Sequence, residues 1–148
     1  MRAFFLPTIE RHMHHITLFH GTTRTHADKI LKTGFRENTC FTTNESLAAY
    51  FAECANDEHQ DGNGSRDIEV ILLVSLTPSK IKVDWPAFEE PISIFRNEWA
   101  GSDALWFEGI ENGDIPYPDN DHDTEKAINS TTCVRCIEPV LPPHIQEA

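Results

Sequence analysis

The chain has 148 residues, enough for one domain with a real core. Apolar residues make up 39% and charged residues 24%, which fits a globular protein and excludes a disordered or membrane-embedded one. The formal net charge is −12, from 24 acidic against 12 basic side chains, so the surface repels phosphate backbones and argues against binding to bulk DNA or RNA. The acidity fits a protein partner with a basic face, mimicry of nucleic acid, or solubility alone. No apolar run approaches the length needed to span a membrane, Val70 to Val74 included. The apolar part of Met1 to Pro7 is too short for a signal peptide, so a cytoplasmic location is expected.

Taken in order, the first fifteen residues are poorly patterned. His12, His14 and His15 offer either a metal-binding cluster or a solvated lead-in. Ile16 to Phe19 suits a buried strand, and His20-Gly21-Thr22-Thr23 is expected to turn out of it. His20 offers two ring nitrogens, Gly21 leaves room for a flat ligand against its backbone, and Thr22 adds a hydroxyl. A helix is expected over Thr25 to Lys32, with Ala27, Ile30 and Leu31 on one face and Gly34 as its stop. Arg24, Lys29, Lys32 and Arg36 form the densest basic grouping, but they are spread along one helix and predict no patch.

Thr39 to Thr43 is β-prone and leads into a helix over Asn44 to Ala55. Thr42 and Glu45 are spaced as a capping box, and Leu47, Ala48, Phe51, Cys54 and Ala55 form the apolar stripe. Tyr50 falls at the stripe's edge, where its ring could pack on one side and face a cleft on the other. Asn56 to Asp67, with Asp61-Gly62-Asn63-Gly64-Ser65, reads as a loop. Ile68 to Leu76 reads as a central strand covered on both faces, ended by Pro78, and Ile81 to Asp84 as an edge strand. Phe88, Ile92, Phe95 and Trp99 keep helical spacing, against Pro91. Ala104 to Phe107 reads as a strand, Glu111 to Asn129 as an acidic loop without calcium-site spacing, and Thr131 to Ile137 as a last strand. Cys133 and Cys136 make a Cys-x-x-Cys. Cys40 and Cys54 are not spaced as its zinc-binding partners, so reduced, partly buried thiols are expected and no metal site. The sum is a single α+β domain over 1–148.

Leu18-Phe19-His20-Gly21-Thr22 followed by Ala27 to Phe35 resembles the opening of the ADP-ribosyltransferase fold. Phe41-Thr42-Thr43 before Ala49-Tyr50-Phe51-Ala52 resembles its second motif, and Cys133 to Ile145 its last strand and exit. The resemblance implies two small antiparallel sheets around a cleft for NAD, with flanking helices. It implies that Gly21 holds the nicotinamide carboxamide through its backbone, and that His20 bonds the adjoining ribose. Thr22 would assist with adenosine or ribose hydroxyls, Thr42 and Thr43 would lie at the cofactor site, and Tyr50 would stack on the nicotinamide. A cationic planar ring suits an aromatic face, and the oxocarbenium-like charge of glycosidic cleavage suits a carboxylate. The family often places a Glu at the start of the last strand, where this chain has Thr131 or Thr132. Glu125 is the first candidate for the missing acid, with Glu108 and Glu111 behind it, and Arg135 is a candidate phosphate contact. The function implied is NAD-dependent mono-ADP-ribosyl transfer to a macromolecule, foremost a protein, as by a bacterial or phage effector or toxin. The alternatives are an RNA 2′-phosphotransferase, whose opening is also similar, and a non-catalytic acidic inhibitor on the same scaffold.

Overall fold

Strand β1 (Ile16–Thr23) pairs along its whole length with β3 (Glu69–Leu76), from Ile16 opposite Leu76 to Thr23 opposite Glu69. The computed structural model describes residues 14–84, 101–114 and 133–148. The described elements run β1, α1 (Arg24–Thr33), β2 (Cys40–Thr42), α2 (Glu45–Asn63), β3, β4 (Ile81–Val83), α3 (Asp103–Glu111), β5 (Cys133–Cys136) and β6 (Gln146–Glu147). The class is mixed α and β, as expected. The described strands join into one antiparallel six-stranded sheet, ordered β4-β5-β2-β1-β3-β6, rather than the two small sheets expected. The joint between its halves is narrow, however. β2 meets β1 with Phe19 opposite Thr42 as the one register pair. The expected helix over 87–99 and most of the expected acidic loop lie outside the described residues.

Alternation along β1 and β3 sends Leu18, Val70, Leu72, Val74 and Leu76 to one face. There they form the main core with Ala27 of α1, Phe35, Phe41, Val134 and Ile145. Ile71 and Leu73, on the other face, are only half-buried and Ser75 is exposed, so β3 is fully covered on one face rather than two. Helix α2 covers part of that second face. A Cβ on Gly21 would sit 1.8 Å from the carbonyl oxygen of Ala48 and 2.7 Å from the nitrogen of Ala52. The glycine is therefore required by the helix lying across the strand. The sheet is thus flanked by α1 on one face and α2 on the other.

Four local readings are corrected. His20-Gly21-Thr22-Thr23 is strand, because its ladder to β3 continues to Glu69. The cap of α2 is Asn44, whose Oδ1 accepts from Leu47 N–H at 3.0 Å, while Thr42 Oγ1 accepts from Asn44 N–H. The expected loop over 56–67 is helical as far as Asn63. Asn56, fully buried, donates to the Asp67 carbonyl and to Glu69 Oε2 and accepts from Asp67 N–H, so tertiary bonds override the local turn signals. Residues 104–107 are helix rather than strand, with Ser102 Oγ accepting from Leu105 N–H in the first turn. The α1 expectation holds: the helix ends at Gly34, whose φ of +87° suits glycine. β4 lies at an edge of the sheet, as expected.

Thr23 begins α1 without bonding through its own side chain. The missing cap comes from Asp67, whose Oδ2 accepts from Thr25 N–H at 2.9 Å and whose Oδ1 accepts from Ile68 N–H at 2.8 Å. These bonds hold its carboxyl down at about 2, against an ordinary 3.8.

Gly21→Ala should destabilise the fold by roughly 2–3 kcal/mol, the scale of an overpacked contact with rigid backbone. A thermal melt checks this, and an unshifted midpoint would mean α2 does not rest on Gly21. The depressed carboxyl of Asp67 contributes stability above its ordinary value that is lost as pH falls from about 4 towards 2. Asp67→Ala should therefore melt lower than wild type at pH 6 and show a shallower loss between pH 4 and 2.

Candidate functional site

His20 and Gly21 point to opposite faces of β1, so the chemistry expected of them divides. The His20 ring lies on the α1 face, with Phe35 at 5.0 Å and Phe41 at 5.7 Å between centroids, both edge-on. Its Nδ1 lies 2.8 Å from the carbonyl oxygen of Cys40 on β2. A carbonyl only accepts, so Nδ1 carries the proton. Burial lowers the pKa of the imidazole, partly offset by that carbonyl, so the ring is neutral near pH 7 and Nε2 keeps its lone pair. The ladder between β1 and β2 stops at Phe19–Thr42, and the imidazole meets the Cys40 carbonyl beyond that point.

Beside His20 lies a hollow of about 320 Å³. Its walls are His20 from β1, His26, Lys29, Ile30 and Thr33 from α1, and Phe35, Arg36 and Thr39 from the turn into β2. Among the described residues the lining carries Lys29, Arg36 and two imidazoles and no acid. In a chain of net charge −12, this is a local reversal of sign. The sequence reading, which predicted no basic patch, is corrected here: the turn after Gly34 brings Arg36 into the wall of the same hollow as Lys29. The signal was present in His26, Lys29, Ile30 and Thr33, which share one face of a helix.

The other expected site residues scatter. Thr22 is buried on the α1 face in the strand interior, and Thr42 is buried with its hydroxyl turned to Asn44 N–H. Thr43 is half-buried just before α2. Tyr50 is 39% exposed on α2, its ring 5.9 Å from that of Phe51, and its helix lies across the sheet from the imidazole. The expected facing pair of His20 and Tyr50 is therefore not formed. Gly21 has its Cα face against Ala48, so the room there is taken by α2. Arg135 is engaged with protein: Nε lies 2.7 Å from Oδ2 of the buried Asp84, and Nη1 donates to the Asn38 carbonyl. Glu108 and Glu111 sit exposed on α3. Glu125 and Thr132, with Thr131, lie outside the described residues.

Cys133 and Cys136 fall in different clusters on opposite faces of β5, as strand alternation demands. No group of metal-ligating side chains occurs among the described residues. No helix among them is long and apolar enough to cross a membrane. A second hollow, of about 370 Å³, lies at the end of β3 with His15, Ser75, Thr77, Lys80, Glu138 and His144 in its walls.

Neither protein-family models nor curated proteins nor solved structures yield a match to this chain.

The lowered pKa of His20 fixes a pH dependence. The unfolded chain takes up a proton below the ordinary 6.5 that the folded ring resists, so stability falls as pH drops from 7 to 5. His20→Gln, which keeps a donor for Cys40, should flatten that fall in denaturant midpoints at pH 7, 6 and 5. An equally steep fall would show that the ring protonates freely. His20→Ala should cost about 1–3 kcal/mol, because it orphans the Cys40 carbonyl.

Proposed function

We propose that the chain is an NAD-dependent mono-ADP-ribosyltransferase acting on a protein target, of the kind deployed as an effector or toxin by bacteria or phages. One observation carries the reading. A neutral imidazole at the His-Gly-Thr strand lines a hollow whose charged wall residues, Lys29 and Arg36, are both cationic, in an otherwise acidic protein. NAD presents what those walls suit: phosphates for Lys29 and Arg36, and ribose hydroxyls that donate to a ring nitrogen. At about 320 Å³ the hollow is at the lower end of ligand clefts, so it takes part of the dinucleotide. Tyr50 and Gly21 have no part in this version of the site. Seen against the expected fold, the single joint at Phe19–Thr42 is where a sheet would divide into two halves.

In the reaction, the bond between nicotinamide and ribose breaks, and nicotinamide leaves with the electron pair. A nucleophile of the target then bonds the anomeric carbon and gives up its proton to water. Glu125 remains the proposed carboxylate for the charge that develops. The same cations favour a second reading, an RNA 2′-phosphotransferase, because they supply the phosphate contacts that such an enzyme needs.

Lys29 and Arg36 are exposed, so Lys29→Glu/Arg36→Glu tests the hollow without disturbing the core. Wild type should bind NAD in a calorimetric titration. The double variant should bind at least roughly tenfold more weakly, at an unchanged melting temperature, on the scale of lost charge-assisted contacts. Equal binding would remove the hollow from the mechanism. Mass spectrometry of candidate protein targets after incubation with NAD should find added ADP-ribose. Loss of a 2′-phosphate from RNA instead would select the second reading.

A further inference from the structure

We propose that Arg135, clamped by Asp84, is a positioning residue that sets the Arg36–Thr39 turn and through it the Arg36 cation in the wall of the His20 hollow. The proposal rests on the reading of that hollow as a site for a phosphate-bearing ligand.

The side chain of Asp84 is wholly excluded from solvent, and a buried carboxylate is costly unless it is paired. Its partner is Arg135, Nε to Oδ2 at 2.7 Å, and its own N–H is tied to the Cys133 carbonyl at 3.0 Å. The acid is thus fixed at the end of β4, and it fixes the guanidinium. A guanidinium is a rigid planar fork, so placing Nε also places Nη1. Nη1 donates to the carbonyl of Asn38. Asn38 has a φ of +63°, a left-handed conformation that side chains other than glycine enter at a cost, Asn less than most.

The turn has further ties to β5. Asn38 N–H donates to the Cys136 carbonyl at 2.8 Å, and Cys136 N–H to the Thr39 carbonyl at 3.1 Å. The Thr39 hydroxyl donates to the Arg36 carbonyl at 2.6 Å. Arg135 adds a charged contact, and it does so at the left-handed residue between Arg36 and Thr39, both of which line the hollow. A buried carboxylate on the second face of the sheet is in this way coupled to a ligand-facing cation on the first.

Lysine at 135 keeps a positive charge near Asp84 but lacks the fork that reaches both acceptors. The first test needs no ligand. In Arg135→Lys, the amides of Asn38 and Thr39 should exchange hydrogen faster while those of β1 and β3 keep their rates. Unchanged exchange at 38 and 39 overturns the positioning role, and uniformly faster exchange shows a general loss of stability and overturns it too. The second test is a double-mutant cycle with NAD and with inorganic pyrophosphate as probes. Arg135→Lys should weaken binding roughly tenfold in the wild-type background and not at all in Arg36→Gln. Equal weakening in both backgrounds would show that Arg135 does not act through Arg36. Asn38→Gly adopts the left-handed conformation unaided, so it should restore most of the lost affinity in Arg135→Lys. No restoration counts against the coupling. If wild type binds neither probe, the reading of the hollow fails, and the exchange comparison still decides whether Arg135 positions the turn.

Discussion

The hydrogen bond from the His20 imidazole to the Cys40 carbonyl sets the geometry at the centre of this sheet. It occupies the seam where β1 and β2 part after one register pair, and it satisfies a backbone acceptor beyond that pair. The ring also fills space between Phe35 and Phe41, themselves in edge-on contact at 4.8 Å, so one side chain serves packing and polarity together. With Nδ1 committed to the carbonyl, the tautomer is fixed, and Nε2 is left as an acceptor. The hollow beside it takes its character from that fixed tautomer and from the cations that α1 and the following turn contribute.

The alternation of a strand explains why His20 and Gly21, adjacent in sequence, do different work. One residue carries a ring into the α1 face, and the next carries nothing so that α2 can lie against the strand. A glycine after a histidine is open to two explanations, room for a ligand or room for a helix, and packing decides for the helix. Electrostatics divide in a similar way. The chain is strongly acidic, yet Lys29 and Arg36 face the hollow with no acid in its lining, while Arg135 is paired with buried Asp84.

Much of the frame was legible from residue patterns. The apolar alternation of β3, the stop at Gly34 and the short edge strand after Pro78 are local facts, and the fold respects them. What was not legible depended on distant residues. Asp61-Gly62-Asn63 carries every mark of a loop, and it is helical because Asn56 is anchored to Asp67 and Glu69. The segment after Ser102 holds enough large apolar residues for a strand, and the serine's cap makes it a helix. Tyr50 sits where a helical wheel allows either a cleft or solvent, and only the side on which α2 docks could choose. The basic hollow was not legible because Lys29 and Arg36 come to line one space only through the turn that separates them in sequence.

The cap of α1 has a bearing on how the chain folds. A ten-residue helix without its own starting side-chain bond is a poor candidate to form alone in water. The carboxylate that completes its first turn lies 42 positions downstream, past β2 and the whole of α2. Closing so long a loop is slow in entropic terms, and the contact is non-local by any measure. Ordering of α1 is therefore tied to the arrival of β3 alongside β1. The cationic wall that α1 provides is a late product of folding, assembled when those two strands zip together.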